Sequence, residues 1–500
     1  MPFKINITWK FLCIFLLATL TVFLMHLGWR KWFLSVPQPL PQTSIISFAQ
    51  KNSLERGKYY EISVPPTGEA KYISADYRLW IPNGVETVRG LIVRQHGCSG
   101  DAASELGLAY ANDLQWQSLA IKHQLAILGS KYPTDYNDKS TNDPCANWAV
   151  IDRGSEEALF KALRDFAQNS RHPELATKLP WVLWGHSGGA DWAIQMLQKY
   201  PERTIALVIM RCGAALISHP KPSELLTSNI NPAILQVPVL FALGEKGSSK
   251  DVVYECIDIP KQVFSRFRKA GAHWAIAEEA EEGHFSTETR LLAIPYLDSI
   301  LTSRLATDGT ELRQMDEAKG WLANSSDHSI SAISQYKGNP LEASWLPNQE
   351  TSYKWQEYVT PPSFWNQMKY KFCSNKMLTS ILGAPHSTNS CYPHKISPTQ
   401  KPANPNDVHV IKISSTENLL TWSFTPDLEN GLPHFRIYRN NNLVATLQGQ
   451  ERNGGDEPEP SHVVLEFRDR VTTSNDIYTV SAFNSLGESI SQVSDLVREN

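Results

Sequence analysis

The feature that most limits the fold is the motif GHSGG at residues 185–189, which has the form G-x-S-x-G. It lies between the apolar run Trp181–Trp184, which predicts a short buried strand, and Gly188–Lys199, whose periodicity predicts a helix. A serine on so sharp a turn must adopt a strained backbone conformation, and side chains two positions to either side would collide. The motif therefore predicts a strand-turn-helix elbow that lifts the Ser187 hydroxyl clear of a sheet.

Strand and helix patterns alternate on both sides of this elbow, over residues 58–305. Further strands are predicted at Tyr72–Ile81, Gly90–Arg94, Ile205–Met210, Val237–Leu243 and Ala272–Ala277. Further helices are predicted at Gly154–Gln168, Pro260–Lys269 and Leu291–Leu305. Ser155 is expected to cap the first of these helices. The alternation predicts an α/β domain with a mostly parallel sheet and helices on both faces.

The pattern changes after residue 305. Residues 306–405 are less periodic and end in the proline-rich stretch Pro398–Pro405, so they are expected to form an irregular connecting region. From residue 406 the chain reads as short strands separated by turn residues. These strands are predicted at Val408–Ile413, Leu419–Phe424, Phe435–Arg439, Leu443–Leu447, Val463–Arg468, Ile477–Phe483 and Glu488–Val493. An all-β sandwich is therefore predicted over residues 406–500.

The N-terminal residues 1–31 predict export. Phe11–Trp29 carries no formal charge, and a helix of this length spans a hydrocarbon core of about 30 Å. An uncleaved membrane anchor and a cleaved signal peptide are the two leading interpretations, and a buried N-terminal helix is the third. The first two place the rest of the chain outside the cytoplasm. Residues 32–57, with the proline-rich Val36–Pro41, are predicted to be a linker.

Composition excludes several classes of protein. The chain is 42% hydrophobic, which argues against a mainly disordered protein. Lys and Arg number 47 against 51 Asp and Glu, so the basic excess typical of a dedicated nucleic-acid binder is missing. Cysteines after Cys13 are even in number, which permits disulfides in an exported chain, and none has C-x-x-C spacing. No metal, no cofactor and no obligate partner are predicted.

A serine nucleophile needs a base, because its free hydroxyl reacts poorly at neutral pH. On a fold of this kind the base is a histidine that follows the acid in the chain. His284 is the candidate, since it lies between the last predicted strand and the last predicted helix. His273 is the rival but falls within the predicted strand, and His186 is too close to Ser187 along the elbow.

The acid is expected in the loop after Val237–Leu243. A carboxylate about three residues after Gly244 would be usual, but Gly247 stands there. Asp251 is favoured and fits if the loop carries a short insertion, whereas Glu245 fits if the turn is tighter. Each could instead be an ordinary solvated charge.

Two backbone amides are expected to form an oxyanion hole. The amide of Gly188 lies at a helix N-terminus and points toward the acyl oxygen. The second donor is expected from the loop HGCSG at residues 96–100, from Gly97, Cys98 or Ser99, and Cys98 is preferred. Cys98 is expected to contribute its backbone rather than a thiol nucleophile, and it can pair with Cys145.

These residues resemble the α/β-hydrolase superfamily over about residues 58–305. The features that carry the resemblance are the HG turn at 96–97, the GHSGG elbow and the GHF at His284. More narrowly, the stretches PCANWAVIDRGSEEAL, PWVLWGHSGGADWA and GHFSTETRLLAIPYLDSILTSRL are similar to those of exported bacterial α/β-hydrolases. The departure is Gly247, which stands where the superfamily carries its acid.

The C-terminal segment resembles a fibronectin type III domain. Trp422 sits in mid-strand, as the core tryptophan of that family does, and YTVSAFNSLGES at 478–489 matches its late-strand signature. Alternation places Tyr478, Val480 and Ala482 on one, inward face. Such modules carry no chemistry and act as spacers or weak binders.

Motif and resemblance together imply an exported serine hydrolase, in the first place an esterase acting on small-molecule or polysaccharide-linked esters. Two alternatives stay open: a serine peptidase or amidase of the same fold, and a non-catalytic surface-binding protein on a hydrolase scaffold. Trp148, Trp184 and Trp192 lie near the elbow in sequence and could stack on a sugar or an aromatic ester, although tryptophan is more often a core residue.

Overall fold

A computed structural model gives the fold, with Leu54–Asn500 as one compact unit. The structure describes residues 56–67, 70–98, 106–134, 144–213, 224–244, 254–279, 282–284, 288–306, 311–361, 398–429, 433–447, 451–452, 458–459, 465–470, 476–484 and 486–497. The N-terminal segment 1–31 and the acid candidates Glu245 and Asp251 lie outside these residues. None of the helices within them is long and apolar enough to cross a membrane.

The central element is a sheet of eight strands in the described part of the chain, in the order β1-β2-β4-β3-β5-β6-β7-β8. The strands are β1 (Gly57–Val64), β2 (Ala75–Pro82), β3 (Gly90–Gln95), β4 (Leu125–Lys131), β5 (Trp181–His186), β6 (Thr204–Met210), β7 (Val239–Gly244) and β8 (Trp274–Glu279). β2 runs antiparallel to β1 and β4, and all other neighbours are parallel. The predicted mostly parallel sheet is confirmed, and its parallel strands end at one common edge.

Helices cover both faces of this sheet, as predicted. They are α1 (Leu114–His123), α2 (Ala146–Ala149), α3 (Ser155–Ser170), α4 (Gly188–Lys199), α5 (Glu224–Thr227), α6 (Pro232–Leu235), α7 (Ile259–Lys269), α8 (Thr289–Arg304) and α9 (Gln349–Val359). Helices α3, α4 and α7 contribute to one apolar core, through Leu159, Trp192 and Phe264 among others. Helices α1, α8 and α9 contribute to a second core on the opposite face.

The predicted cap of α3 is wrong. Gly154, with φ 104°, occupies the cap position, and Ser155 is the first helical residue. The Ser155 hydroxyl donates to the carbonyl of Trp148 at 2.7 Å and accepts from the indole of Trp192 at 3.2 Å. Ser155 is buried, so its hydroxyl serves the polar groups packed around it rather than the amides of its own helix.

Part of residues 311–361 forms strands and a helix, so the prediction of an irregular connection is wrong for that part; we call residues 311–361 the appended subdomain. A small sheet in the order β10-β9-β11 is followed by α9. Its strands are β9 (Trp321–Ala323), β10 (Ile330–Ala332) and β11 (Ser344–Leu346). The indole of Trp355 donates to the carbonyl of Ile276 at 2.7 Å, and the Ile276 amide donates to the Ser344 hydroxyl at 2.9 Å. The appended subdomain is thereby bonded directly to β8.

The C-terminal region is all-β, as predicted. Two sheets of four described strands have the orders β18-β13-β12-β21 and β15-β14-β19-β20, and β16 pairs with β17. The strands are β12 (Asn406–Ser414), β13 (Glu417–Ser423), β14 (His434–Arg439), β15 (Asn442–Leu447), β16 (Glu451–Arg452), β17 (Pro458–Glu459), β18 (Glu466–Arg470), β19 (Tyr478–Asn484), β20 (Gly487–Ile490) and β21 (Asp495–Val497). Trp422, Tyr478, Val480 and Ala482 are all buried in one core, as the alternation predicts.

His273 lies just before β8, buried between the sheet and the appended subdomain. Its ring centroid is 4.7 Å from that of Trp345, and the residue is only 4% exposed. Burial, and then the charges of Arg268 and Arg304, lower the pKa of His273 from 6.5 to about 4. The folded protein therefore keeps this imidazole neutral where an unfolded chain would protonate it.

His273→Phe is expected to make the fold less sensitive to acid. Between pH 6.5 and about 4 the unfolded chain binds more protons at this site than the folded chain, so the free energy of unfolding falls as pH falls. The pKa gap corresponds to on the order of 3 kcal/mol. Denaturant titrations at pH 7 and pH 4 should show the variant losing less stability than the wild type by about this amount. Equal losses of stability in the variant and the wild type would show that His273 does not cause this pH dependence.

Candidate active site

Ser187 occupies a strained position between β5 and α4. Its backbone has φ 53° and ψ −122°, a conformation that a residue with a side chain rarely adopts. The Ser187 amide donates to the carbonyls of Met210 at 2.9 Å and Arg211 at 3.0 Å, at the end of β6. Strain of this kind persists only where the surroundings hold it and is concentrated at functional sites. Ser187 is half-buried, so solvent reaches it.

The two glycines of the motif are required by close packing, as predicted from the sequence. A Cβ atom on Gly185 would overlap the backbone of Gly189. A Cβ atom on Gly189 would overlap the carbonyl oxygens of Gln95 and His96, at the end of β3. The elbow is thus pressed against the loop from which the second oxyanion donor is expected.

Gly97 lies directly beside the serine. A Cβ atom on Gly97 would lie 2.9 Å from His186 Nδ1 and 3.2 Å from Ser187 Cβ. His96 Nδ1 is 2.6 Å from the Gly97 carbonyl oxygen, and burial lowers the pKa of His96 to about 4. The neutral ring therefore donates its Nδ1 proton to this carbonyl, which fixes the plane of the peptide that carries the Cys98 amide.

A disulfide joins Cys98 to Cys145, so the pairing considered from the sequence is confirmed. Cys145 immediately precedes α2, whose Trp148 ring lies 4.6 Å from the ring of His96. The link therefore fixes the loop after β3 to the segment that packs over it.

The three tryptophans near the elbow are core residues. Trp148, Trp184 and Trp192 are each at most 1% exposed. Trp148 stacks on Tyr132 with ring centroids 5.4 Å apart. These buried rings offer no face on which a substrate could stack.

Replacing both Cys98 and Cys145 with alanine is expected to destabilise the protein by about 2–4 kcal/mol. The disulfide closes a long loop, with the cysteines 47 residues apart, and removing it gives that conformational freedom back to the unfolded chain. Urea unfolding of the double variant and the wild type measures the difference. A loss under about 0.5 kcal/mol would show that the link contributes little to the native fold.

His284 follows the carboxyl end of β8 and contacts His186 of the elbow. His186 Nε2 is 3.3 Å from the His284 carbonyl oxygen, and the two rings are 5.2 Å apart. Burial, then the charge of Arg211, lowers the pKa of His284, which favours the neutral imidazole that a base requires. The rival His273 precedes β8 and therefore lies at the opposite edge of the sheet.

Both ends of the loop that should supply the acid lie next to His284. A Cβ atom on Gly244, the last residue of β7, would overlap the carbonyl oxygen of Gly283. At the other end, Cys256 is joined by a disulfide to Cys212, whose Sγ is 3.6 Å from His284 Nδ1. The loop that carries Asp251 and Glu245 therefore starts beside Gly283, which precedes His284, and ends near Cys256, whose Sγ lies within 4.8 Å of a ring nitrogen of His284.

Cys212, Cys256 and His284 form a cluster of potential metal ligands in the described part of the chain. Cys212 Sγ, Cys256 Sγ and a ring nitrogen of His284 lie within 4.8 Å of one another. A structural zinc site uses cysteines as thiolates. In this structure the two sulfurs are bonded to each other, so the cluster offers no thiolate.

Sequence reasoning missed a buried ion pair beneath the site. Arg211 follows β6, Glu279 ends β8, and their side chains pair while at most 1% exposed. The available signal was a charged residue at the end of an apolar strand, in VIMR and in WAIAEE. That signal marks each residue as unusual but does not pair them.

Part of this chain is similar to several solved esterase and hydrolase structures, at low sequence identity. No protein-family model matches this chain, and no curated protein sequence matches it. Among solved structures, a ferulic acid esterase is 12% identical with a TM-score of 0.34 and covers 46% of this chain and 91% of its own. An S-formylglutathione hydrolase from Agrobacterium tumefaciens is 14% identical with a TM-score of 0.32, covering 46% and 89%. A hyperthermophilic esterase from Pyrobaculum calidifontis is 13% identical with a TM-score of 0.32, covering 50% and 87%.

Proposed function

We propose that this chain is an exported serine hydrolase that cleaves carboxylic esters through an acyl-enzyme. The observation that carries the proposal is the left-handed backbone of Ser187 at the junction of β5 and α4. A nucleophile elbow needs this conformation, whereas an ordinary turn at this point would place glycine there. Gly97 lies beside Ser187, and both Gly97 and His284 contact the neighbouring residue His186.

The proposed reaction has two halves. Ser187 Oγ attacks the acyl carbon while His284 takes the hydroxyl proton, and the tetrahedral intermediate then expels the alcohol, which receives that proton. In the second half a water molecule attacks the acyl-enzyme, again with His284 as base, and the carboxylic acid leaves as Ser187 regains its proton. Each half passes through a tetrahedral intermediate with a negatively charged oxygen, which the site must stabilise.

The amides of Gly188 and Cys98 are proposed as the donors to that oxygen. Gly188 is the first residue of α4, where the amides have no intrahelical partner and the helix dipole favours negative charge. The Cys98 amide belongs to the peptide whose carbonyl His96 holds, so its direction is set before substrate binds. Donors fixed in advance are the main source of transition-state stabilisation in sites of this kind.

Asp251 is proposed as the acid that orients His284, with Glu245 as the alternative. Support comes from the loop ends, since Gly244 and Cys256 both lie against the histidine or its neighbours. Asp251 is the closer of the two to Cys256 in sequence. A carboxylate there would hold the imidazole in one tautomer and stabilise the imidazolium.

Export and a fibronectin type III-like identity for the C-terminal sandwich complete the proposal. Disulfides persist in oxidising compartments, and those of Cys98–Cys145 and Cys212–Cys256 support a location outside the cytoplasm. The N-terminal segment would anchor the protein or be removed. The sandwich is proposed to be fibronectin type III-like, on the strength of its two sheets and its Trp422 core.

A substrate panel tests the activity. The full-length chain and Ser187→Ala would be assayed on p-nitrophenyl esters, feruloyl esters, acetylated sugars and aminoacyl amides. The proposal expects hydrolysis of at least one ester class that the variant lacks. Faster cleavage of the amides would favour the peptidase alternative. Turnover of none of them would favour a non-catalytic binding protein.

A further inference from the structure

A network of buried, hydrogen-bonded side chains connects the appended subdomain to the main sheet. The hydroxyl of Tyr358, on α9, donates to Glu279 Oε2 at 2.8 Å, and the Thr289 hydroxyl lies 3.2 Å from the Tyr358 oxygen. The Arg211 guanidinium pairs with the same carboxylate oxygen. All four residues are at most 1% exposed, so the bonds are made away from water, where they are strongest.

This network of side chains ends at Arg211, in the turn that contacts the serine. Arg211, Cys212 and Gly213 have φ of 52°, 76° and 90°, three consecutive residues in the left-handed region. The Arg211 carbonyl accepts the Ser187 amide at 3.0 Å, and Cys212 Sγ is 3.6 Å from His284 Nδ1. We call residues 211–213 the support turn, because it contacts both the serine and the histidine.

A strained turn keeps its shape only where neighbouring groups hold it. The Arg211 side chain is held by Glu279, and a buried carboxylate is stable only with its donors in place. One of these donors, Tyr358, comes from residues outside the α/β domain predicted from the sequence. The position of α9 therefore bears on the geometry of the support turn.

We propose that Tyr358 is a positioning residue for the active site: by holding Glu279, and through it Arg211, it maintains the support turn that receives the Ser187 amide and contacts His284. The inference rests on the proposed function, because it assigns the appended subdomain a part in that site. The subdomain is then a component of the enzyme rather than a spacer before the sandwich.

Tyr358→Phe tests the proposal, with Tyr353→Phe as its control. Tyr353 lies on the same helix and is 53% exposed, and among the residues that the structure describes its hydroxyl bonds only to Gln349 of that helix. Its variant therefore has the same chemical change without the link. Tyr358→Phe should lower kcat about tenfold and leave KM within about twofold, as expected for a small displacement of reacting groups. It should also shift the NMR signals of the His284 ring, whereas Tyr353→Phe should change neither.

Several outcomes decide the matter. A lower melting temperature for Tyr358→Phe with unchanged kcat and unchanged His284 signals would overturn the proposal, because the hydroxyl would then be merely structural. If the wild type hydrolyses no substrate, the proposed function fails, but the His284 signals still show whether the link exists. Should Tyr358→Phe not fold, Thr289→Val removes the next hydroxyl and should lower kcat about two- to fivefold; an unchanged kcat there would equally overturn the proposal.

Discussion

Ser187→Ala is expected to abolish turnover, with kcat lower by about 10⁶, while the fold is retained. The hydroxyl is the proposed nucleophile, and without it neither His284 nor the oxyanion donors can form the acyl-enzyme. The bonds that hold the elbow use the Ser187 backbone amide, which alanine keeps. Steady-state kinetics on a p-nitrophenyl ester, with a thermal melt of the same sample, measure both parts.

Residual activity within tenfold of the wild type would contradict the serine mechanism. A melting temperature far below that of the wild type would show that the loss came from unfolding.

Asp251→Asn is expected to lower kcat by about 10⁴, with stability and binding preserved. The asparagine would leave the imidazole of His284 in the wrong tautomer and without its counter-charge. Glu245→Gln is the matched control from the same loop and should be nearly silent, as expected for a solvated carboxylate. The kcat of each variant, measured with stability alongside, decides between them.

The two results exchange places if Glu245 is the acid. If both variants keep the wild-type kcat, the loop supplies no third member. A Ser–His dyad, or an acid from another strand, would then have to replace it.

The elbow was predictable because its constraints are local. Helix α4 has the bounds that the periodicity predicts. A side chain at Gly185 or Gly189 would overlap backbone atoms within a few residues of the serine or at the end of the neighbouring strand. The position of His284 at the carboxyl edge of the sheet was predictable from chain order, since parallel strands bring their carboxyl ends to one edge. Ser155 shows where local rules fail, because burial redirected a side chain that would otherwise cap a helix.

The support beneath the site was not predictable from the sequence. Arg211 and Glu279 are 68 residues apart and Glu279 and Tyr358 are 79 apart, so no spacing rule connects them. The strands of the appended subdomain have three residues each, too few for an alternating pattern to be recognised.

Strands β1 and β4 and helix α1 of the α/β domain were also not predicted from the sequence. Strand β4 is buried on both faces and reads as an apolar run, without the alternation of a half-exposed strand.

Labelling with a fluorophosphonate probe tests the central claim most directly, because it reports an activated serine without any knowledge of the substrate. The full-length protein and Ser187→Ala would be treated with the probe, and the adduct located by peptide mass spectrometry. The proposed mechanism predicts one adduct per chain, on the peptide that contains Ser187, which heat denaturation before treatment prevents and which the variant lacks. No adduct on the folded wild type, or an adduct that persists in Ser187→Ala, would contradict it.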